Sequence, residues 1–308
     1  MFERIKAAVS LERHHLDVPI GVIDVGSNTV RLLVSQHGRT LLSKREMLRL
    51  GADIEQHGEI PVAKLDLTES VVKRFAEDAR SAGADVLEIL IASPGRQAGN
   101  GALLAQRLER ASRSRTRILT ALEEGHLAFL GALSCAGVAG RHTIAVVDVG
   151  GGSAQIVTGT RKGGPTWARS IDLGSQRLTS RILSEDPPGA PAVSTARIEV
   201  DRYLAGLDPP PARALLAVGG SARALKRIVG GQITAAELEN ALDLLATTPT
   251  GVLARRYRID EGRARTLLAG AVIFSAIQKV LGIPLDVQRG GLREGAVLAL
   301  AARHAAAA

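Results

Sequence analysis

Two stretches of this chain repeat one pattern of apolar and polar positions. Residues 22–33 read VIDVGSNTVRLL and residues 146–157 read VVDVGGGSAQIV. Each is an apolar run interrupted by Asp, followed by Gly with small polar residues, then a second β-type run. The pattern predicts strand, tight turn, strand, with Asp24 and Asp148 at the ends of the two leading strands. Further strand-like runs lie at 40–48, 86–92, 116–120 and 214–218. Residues 66–82 carry Leu67, Val71, Phe75 and Ala79 at near-helical spacing, with acidic residues early. Helices are also predicted over 99–111, 122–134, 235–246, 250–257, 260–281 and 292–303. Thr234 with Glu237 forms a capping-box signal for the helix that follows. EDPPGAPAV, residues 185–193, reads as a Pro-rich loop, and Gly137 and Gly140 punctuate the crossover between halves. Strands alternating with helices predict α/β layers. The expected division is a leader over 1–18, a first lobe over 19–138 and a second over 139–308.

Composition narrows the partners. Thirty-nine basic residues oppose 31 acidic ones, giving a formal charge of +8 and a pI of about 10.2. Such a balance favours anions, and 32 of the basic residues are Arg, whose fork suits phosphate oxygens. Nucleic acid is not expected, because single-strand binders stack bases on aromatic platforms and Phe, Tyr and Trp total seven here. Cys135 is the only cysteine, which excludes an intrachain disulfide and a thiolate metal cluster. Small neighbours make it an expected buried filler. No stretch approaches the roughly 18–20 apolar residues of a membrane span, and the charged N-terminus does not resemble a signal peptide. A soluble cytoplasmic protein is the expectation.

The repeated loops carry the candidate chemistry. Phosphate chemistry needs amide donors or cations on the phosphoryl oxygens, a divalent metal to spread charge, and a base to orient water. Gly150, Gly151 and Gly152 let backbone amides approach a phosphate closely, with Ser153 beside them. Asp148 can hold Mg²⁺ directly or through water, since Mg²⁺ takes few carboxylates and many waters. Asp24 with Gly26, Ser27 and Asn28 can act likewise from the other side. Taken singly, either loop could be an ordinary hairpin turn; two matching loops point to a shared phosphate site. Arg31 follows the first loop, and Arg96 lies just past a strand end, where α/β sheets place ligands. Gly220 and Ser221 precede a helix carrying Arg223, an anion-site pattern that a plain strand-to-helix turn would also produce. Glu123 and Glu124 open the apolar helix LEEGHLAFLGAL; acids in a first turn also simply stabilise the helix dipole. Basic runs at 110–117 and 255–265 fit solvated helix faces or a track for a long polyanion.

Together IDVGSNTVRLL, EEGHLAFLGAL, VVDVGGGSAQIV, AVGGSARAL and GGLREG resemble the Ppx/GppA (exopolyphosphatase and guanosine pentaphosphate phosphohydrolase) family of the actin-like ATPase superfamily. The similarity spans about residues 19–300. It implies an α/β fold of two actin-like (ribonuclease H-like) lobes with an interdomain cleft, cleaving phosphoanhydride bonds with Mg²⁺. It makes Glu124 the match to the family's catalytic base, Asp148 the metal-associated carboxylate, and Arg31 and Arg96 the phosphate-contacting arginines. The implied substrate is inorganic polyphosphate or a guanosine polyphosphate nucleotide, and a homodimer is compatible with the resemblance. Three positions depart from the family pattern. Gln155 replaces a Glu expected to join the catalytic set. ASPGR, residues 92–96, replaces Thr-Ser-Ala-x-Arg, and the usual Ser-Gly before the Glu-Glu helix is missing. Longer members carry a C-terminal His-Asp helical domain; with no such motif near 308, this chain is expected to be the short form. Rival readings are a non-catalytic polyphosphate- or nucleotide-binding protein and a small actin-like kinase.

Overall fold

A computed structural model describes residues 18–137 and 142–306. The expected leader, apart from its last residue, and Gly140 lie outside the described residues. The first half runs β1 (Ile20–Val25), β2 (Thr29–Gln36), β3 (Arg39–Met47), α1 (Leu50–His57), α2 (Val62–Ser81), β4 (Val86–Ile91), α3 (Ser93–Gln97), α4 (Gly101–Ser112), β5 (Arg115–Ile118) and α5 (Ala121–Cys135). The second runs β6 (Ile144–Val149), β7 (Ala154–Thr160), β8 (Gly164–Ile171), α6 (Ser175–Arg181), α7 (Gly189–Leu204), β9 (Ala214–Val218), α8 (Gly219–Val229) and α9 (Ala235–Thr247). It continues with α10 (Thr250–Tyr257), α11 (Glu261–Arg265), α12 (Leu267–Leu281), β10 (Leu285–Val287) and α13 (Leu292–Ala305).

The two halves share one topology. One sheet is ordered β3-β2-β1-β4-β5, the other β10-β9-β6-β7-β8. In each, the leading strand pairs antiparallel with the next and parallel with the fourth. The strands therefore correspond one to one, and the molecule is built from two lobes of the same α/β topology. β1 and β6 are central in their sheets and buried on nearly every residue, which is why both read as continuous apolar runs rather than alternating ones. The duplication is kept at residue level. Asp24 lies opposite Arg31 in the first hairpin, and Asp148 opposite Gln155 in the second. Gln155 is thus the structural counterpart of Arg31.

Packing does not follow chain order throughout. The boundary expected near 138 parts the ten strands five and five, but two helices exchange lobes. Ala128, Phe129, Ala132 and Leu133 of α5 pack on Ile144, Val146 and Val157 of the second sheet. Leu292, Ala296 and Leu300 of α13 pack on Ile20, Val22 and Leu90 of the first. The two helices cross through small residues. A Cβ at Gly131 would run into the Gly291 carbonyl oxygen, and one at Gly295 into that of Leu127.

Several expectations need correction. The segment 185–193 is a loop only at its start, because α7 begins at Gly189 and buries Val193, Ala196 and Val200. The expected helix over 260–281 is two helices that meet at Thr266. The buried stripe of α2 includes Leu65, Val71, Val72, Phe75 and Ala79, while Leu67 points outward. Leu122 is likewise exposed in the first turn of α5. Cys135 is exposed rather than a core filler, because it and Ser134 lie on the outer side of the last turn of α5, while Leu133 and Ala136 pack inward.

Candidate active site

The two glycine loops, each closing a hairpin, meet between the lobes. A Cβ at Gly151 would stand 2.9 Å from that of Ser27, and one at Gly152 would stand 2.7 Å from Ser93 Oγ and 2.8 Å from Ser27 Oγ. Only glycine allows this approach. Gly26 N–H bonds to the Thr29 carbonyl and Gly150 N–H to that of Ser153, so both turns close in the same way. Ser27 and Ser93 share a hydrogen bond of 2.6 Å. Gln97 donates from Nε2 to the Gly152 carbonyl at 3.0 Å and to Asp172 at 2.5 Å.

Three carboxyls lie beside these loops, Glu124 buried and Asp24 and Asp148 half-buried. Asp24 lies near the end of β1, Asp148 near the end of β6, and Glu124 in the first turn of α5. Glu123 caps that helix with Thr120, each side chain bonding the other's backbone N–H, so Glu123 takes the helix-start role and Glu124 is left to face inward. The helix sits tightly on β7, where a Cβ at Gly125 would lie 2.9 Å from Val157 and 3.3 Å from Gln155. Burial pushes the Glu124 carboxyl up to about 7; Arg96 opposes this, and Asp148 and Asp24 add to it. Burial likewise raises Asp24 to about 6 against the pull of Arg31 and Arg293. Asp148 is also raised by burial, opposed by Arg31, Arg223 and Arg263. Among the described residues, no three His, Cys, Asp or Glu side chains could hold one metal ion. A cation at Asp24 and Asp148 would therefore complete its shell with water or phosphate oxygens, the environment Mg²⁺ prefers.

Arg96 is held by its surroundings. It donates to Glu124 Oε2 at 2.9 Å and to the Leu119 carbonyl at 2.7 Å, and comes within 3.5 Å of Ser153 Oγ. The departures at Pro94 and Gly95 have a local reason. Pro94 starts the short helix α3, where its missing N–H is harmless. A Cβ at Gly95 would lie 2.9 Å from Ile118. Gln155 is fully buried, and its Nε2 donates to Ser153 Oγ at 2.9 Å and to Ser170 Oγ at 3.4 Å. Its Oε1 has no hydrogen-bond partner.

Gly219, from the expected anion-site turn, joins this site together with three groups that the sequence did not place here. Gly219, with φ of 91°, closes over Asp148, and a Cβ there would lie 2.5 Å from Oδ1. Arg263 Nη1 donates to Ser221 Oγ at 3.2 Å, and its guanidinium covers Gly220. Arg293 donates to the Leu32 carbonyl at 3.2 Å, while Glu294 accepts from the Gly291 N–H at 3.0 Å. Both lie in GGLREG, whose polar pair at a helix start was the available signal. Arg263 lay inside a basic run, where nothing local separates a cleft arginine from a surface one.

Paired glycine loops, buried and half-buried carboxyls and converging arginines between two lobes of one α/β topology define a phosphate-handling cleft. The family model of the Ppx/GppA phosphatase family matches residues 30–304. The chain belongs to that family. It is 30% identical over 302 residues to exopolyphosphatase 1 of Mycobacterium leprae, covering 91% of this chain and 88% of the relative. The crystal structure of an exopolyphosphatase from Cytophaga hutchinsonii superposes with a TM-score of 0.82 at 20% identity, covering 92% of this chain and 97% of that one. The Aquifex aeolicus member of the Ppx/GppA family gives 0.79 at 22%, covering 93% and 98%. At these identities the structural likeness shows the fold. No described helix is long and apolar enough to cross a membrane.

Proposed function

We propose that this chain is a Mg²⁺-dependent exopolyphosphatase that releases the terminal phosphate of inorganic polyphosphate. The observation that carries the reading is Glu124, a buried carboxyl oriented by Arg96 and poised at about 7 beside the two loop aspartates. A general base works best with a pKa near the working pH. In this reading water attacks the terminal phosphorus, Glu124 takes its proton, and the bridging P–O bond breaks. The shortened chain leaves with the bond's electron pair on its new terminal oxygen. Amides of loops 26–28 and 150–153 and the guanidinium of Arg31 hold the phosphoryl oxygens. Asp24 and Asp148 would hold Mg²⁺, which supplies charge neutralisation on those oxygens. The polyphosphatase names of the mycobacterial relatives support this reading over a guanosine nucleotide substrate.

The test is orthophosphate release from polyphosphate with Mg²⁺, with guanosine pentaphosphate assayed in parallel. Glu124→Gln is expected to lower kcat about 10²–10⁴-fold, the usual general-base contribution, while polyphosphate still binds. Wild-type turnover in that variant would remove Glu124 from the role. Exclusive use of the nucleotide would replace the substrate.

A further inference from the structure

Beyond the carboxylates, the cleft opens into a cavity of about 630 Å³. Arg31, Arg223 and Arg263 line its inner end, beside Asp148. Arg45, Arg258 and Arg289 line it farther out, and Lys226 and Arg227 of α8 complete the set. Eight cations thus face two acids, Glu46 and Asp260. Those acids are engaged elsewhere: Glu46 pairs with Arg74 outside the cavity at 3.0 Å, and Asp260 caps α11 through the Arg263 N–H at 3.2 Å. Among the described residues, none of the eight cations forms an ion pair with a carboxylate. Arginines on other faces behave differently: Arg107, Arg117, Arg177 and Arg303 all have carboxylate partners. Burial first, and neighbouring arginines second, push Arg263 down to about 10 and lower Arg223 as well. Asp148 and Asp260 offset only part of the repulsion among these arginines, and a bound polyanion would relieve the rest.

A second cavity of about 440 Å³ adjoins the first, with Lys226 lining both. It lies at the starts of β9 and β10 and presents Arg213 and Gln232, with one acid, Asp286. On the loop side of the site, the lobes are tied together. Glu55 of α1 pairs with Arg177 at 2.5 Å and with Arg181 at 2.8 Å on α6, and Gln97 reaches Asp172. A chain whose end phosphate sits at Glu124 therefore leads away along the arginines toward Lys226.

We propose that linear polyphosphate binds along this path, and that the second cavity is an outer subsite, formed by Arg213, Lys226 and Gln232, for phosphates remote from the one being cleaved. The proposal rests on the polyphosphatase reading and adds a chain-length preference to it. A short oligophosphate fills the inner arginines only, whereas a long chain engages both cavities. A nucleoside polyphosphate carries too few phosphates to gain from the outer one.

The test pairs direct binding in EDTA with phosphate release in Mg²⁺, each with tripolyphosphate and long-chain polyphosphate over a salt series. In Arg213→Glu/Lys226→Glu, Kd and KM for the long chain should rise about tenfold, which corresponds to about 1.4 kcal/mol. The rise for tripolyphosphate should be much smaller. The salt dependence of long-chain binding should become shallower, its log–log slope falling by about one for each contact removed. Arg202→Glu, a charge change on α7 outside both cavities, should leave the ratio of long- to short-chain affinity unchanged. Equal losses for both substrates, or an unchanged ratio in the double variant, would overturn the outer subsite. If the wild type binds long chains through Arg213 and Lys226 but releases no phosphate from either substrate, the subsite stands and the hydrolase reading fails.

Discussion

Asp24 illustrates how a single residue ties pH to folding. Its carboxyl is raised from 3.8 to about 6, mainly by burial. The folded state therefore holds this proton more tightly than the unfolded chain does. The resulting stability is fully present below about pH 4 and is lost as pH rises through about 6. A proton held about a hundredfold more tightly is worth roughly 3 kcal/mol. Asp24→Asn cannot ionise, so in EDTA its Tm should exceed the wild type's at pH 8, and the two should converge near pH 4. Added Mg²⁺ should narrow the gap at pH 8 by stabilising only the wild type. A Tm difference independent of pH would show that Asp24 is not a strained carboxylate. Gln155 poses the complementary case. Its Oε1 is unpartnered, but Ser153 and Ser170 are hydroxyls that can reverse and donate to a carboxylate. Gln155→Glu should therefore lower the Mg²⁺ concentration needed for half-maximal activity and raise phosphate release. Unchanged or slower turnover at saturating Mg²⁺ would mean the neutral amide is the working group here.

At the scale of elements, the crossing of α5 and α13 positions the site. Glu124 opens one helix and Arg293 with Glu294 opens the other, so their spacing depends on how closely the two backbones approach. Gly131 permits that approach. Replacing Gly by Ala in a free helix stabilises by about 1 kcal/mol. Here the added Cβ would meet the Gly291 carbonyl, and Gly131→Ala should destabilise by about 1–3 kcal/mol, as overpacking does. Denaturant unfolding gives the sign directly, and a stabilised variant would mean the helices are free to separate. The chain itself identified both helices and the apolar character of α5. It did not indicate that each packs on the other lobe's sheet, because an apolar face does not specify which apolar face it meets. The elements missed altogether, such as α1 and β8, carry mixed polar patterns, and their positions are set by what they meet, α6 of the other lobe for α1 and the edge of the second sheet for β8.

For the whole molecule, the ties between lobes matter as much as the cores within them. Glu55 takes two arginines from the opposite lobe, with its side chain only 12% exposed. Removing it leaves Arg181 without its carboxylate and Arg177 with Asp172 alone. In Glu55→Ala, hydrogen exchange should quicken in α1 and α6 while β1 and β6 keep their protection, since opening is local and the sheets unfold only globally. Equal acceleration in the central strands would mean the contact supports the fold rather than the closure of the lobes.

The duplicated hairpins, the aspartates near their strand ends, the glycines between them and the basic character of the chain are all legible in the order of residues. These are local properties: strand, turn and glycine follow from short-range periodicity and backbone sterics. Tertiary structure decided which charges became a site. Glu123 and Glu124 are neighbours in one helical turn, yet one caps the helix and the other is buried beside two aspartates. Arg263 and Arg107 are both arginines within helices, yet one faces the cleft without a carboxylate partner and the other pairs with Asp66 and Glu69. Burial and charge partners come from residues distant in sequence, and those two quantities set a side chain's proton affinity and its readiness to bind phosphate.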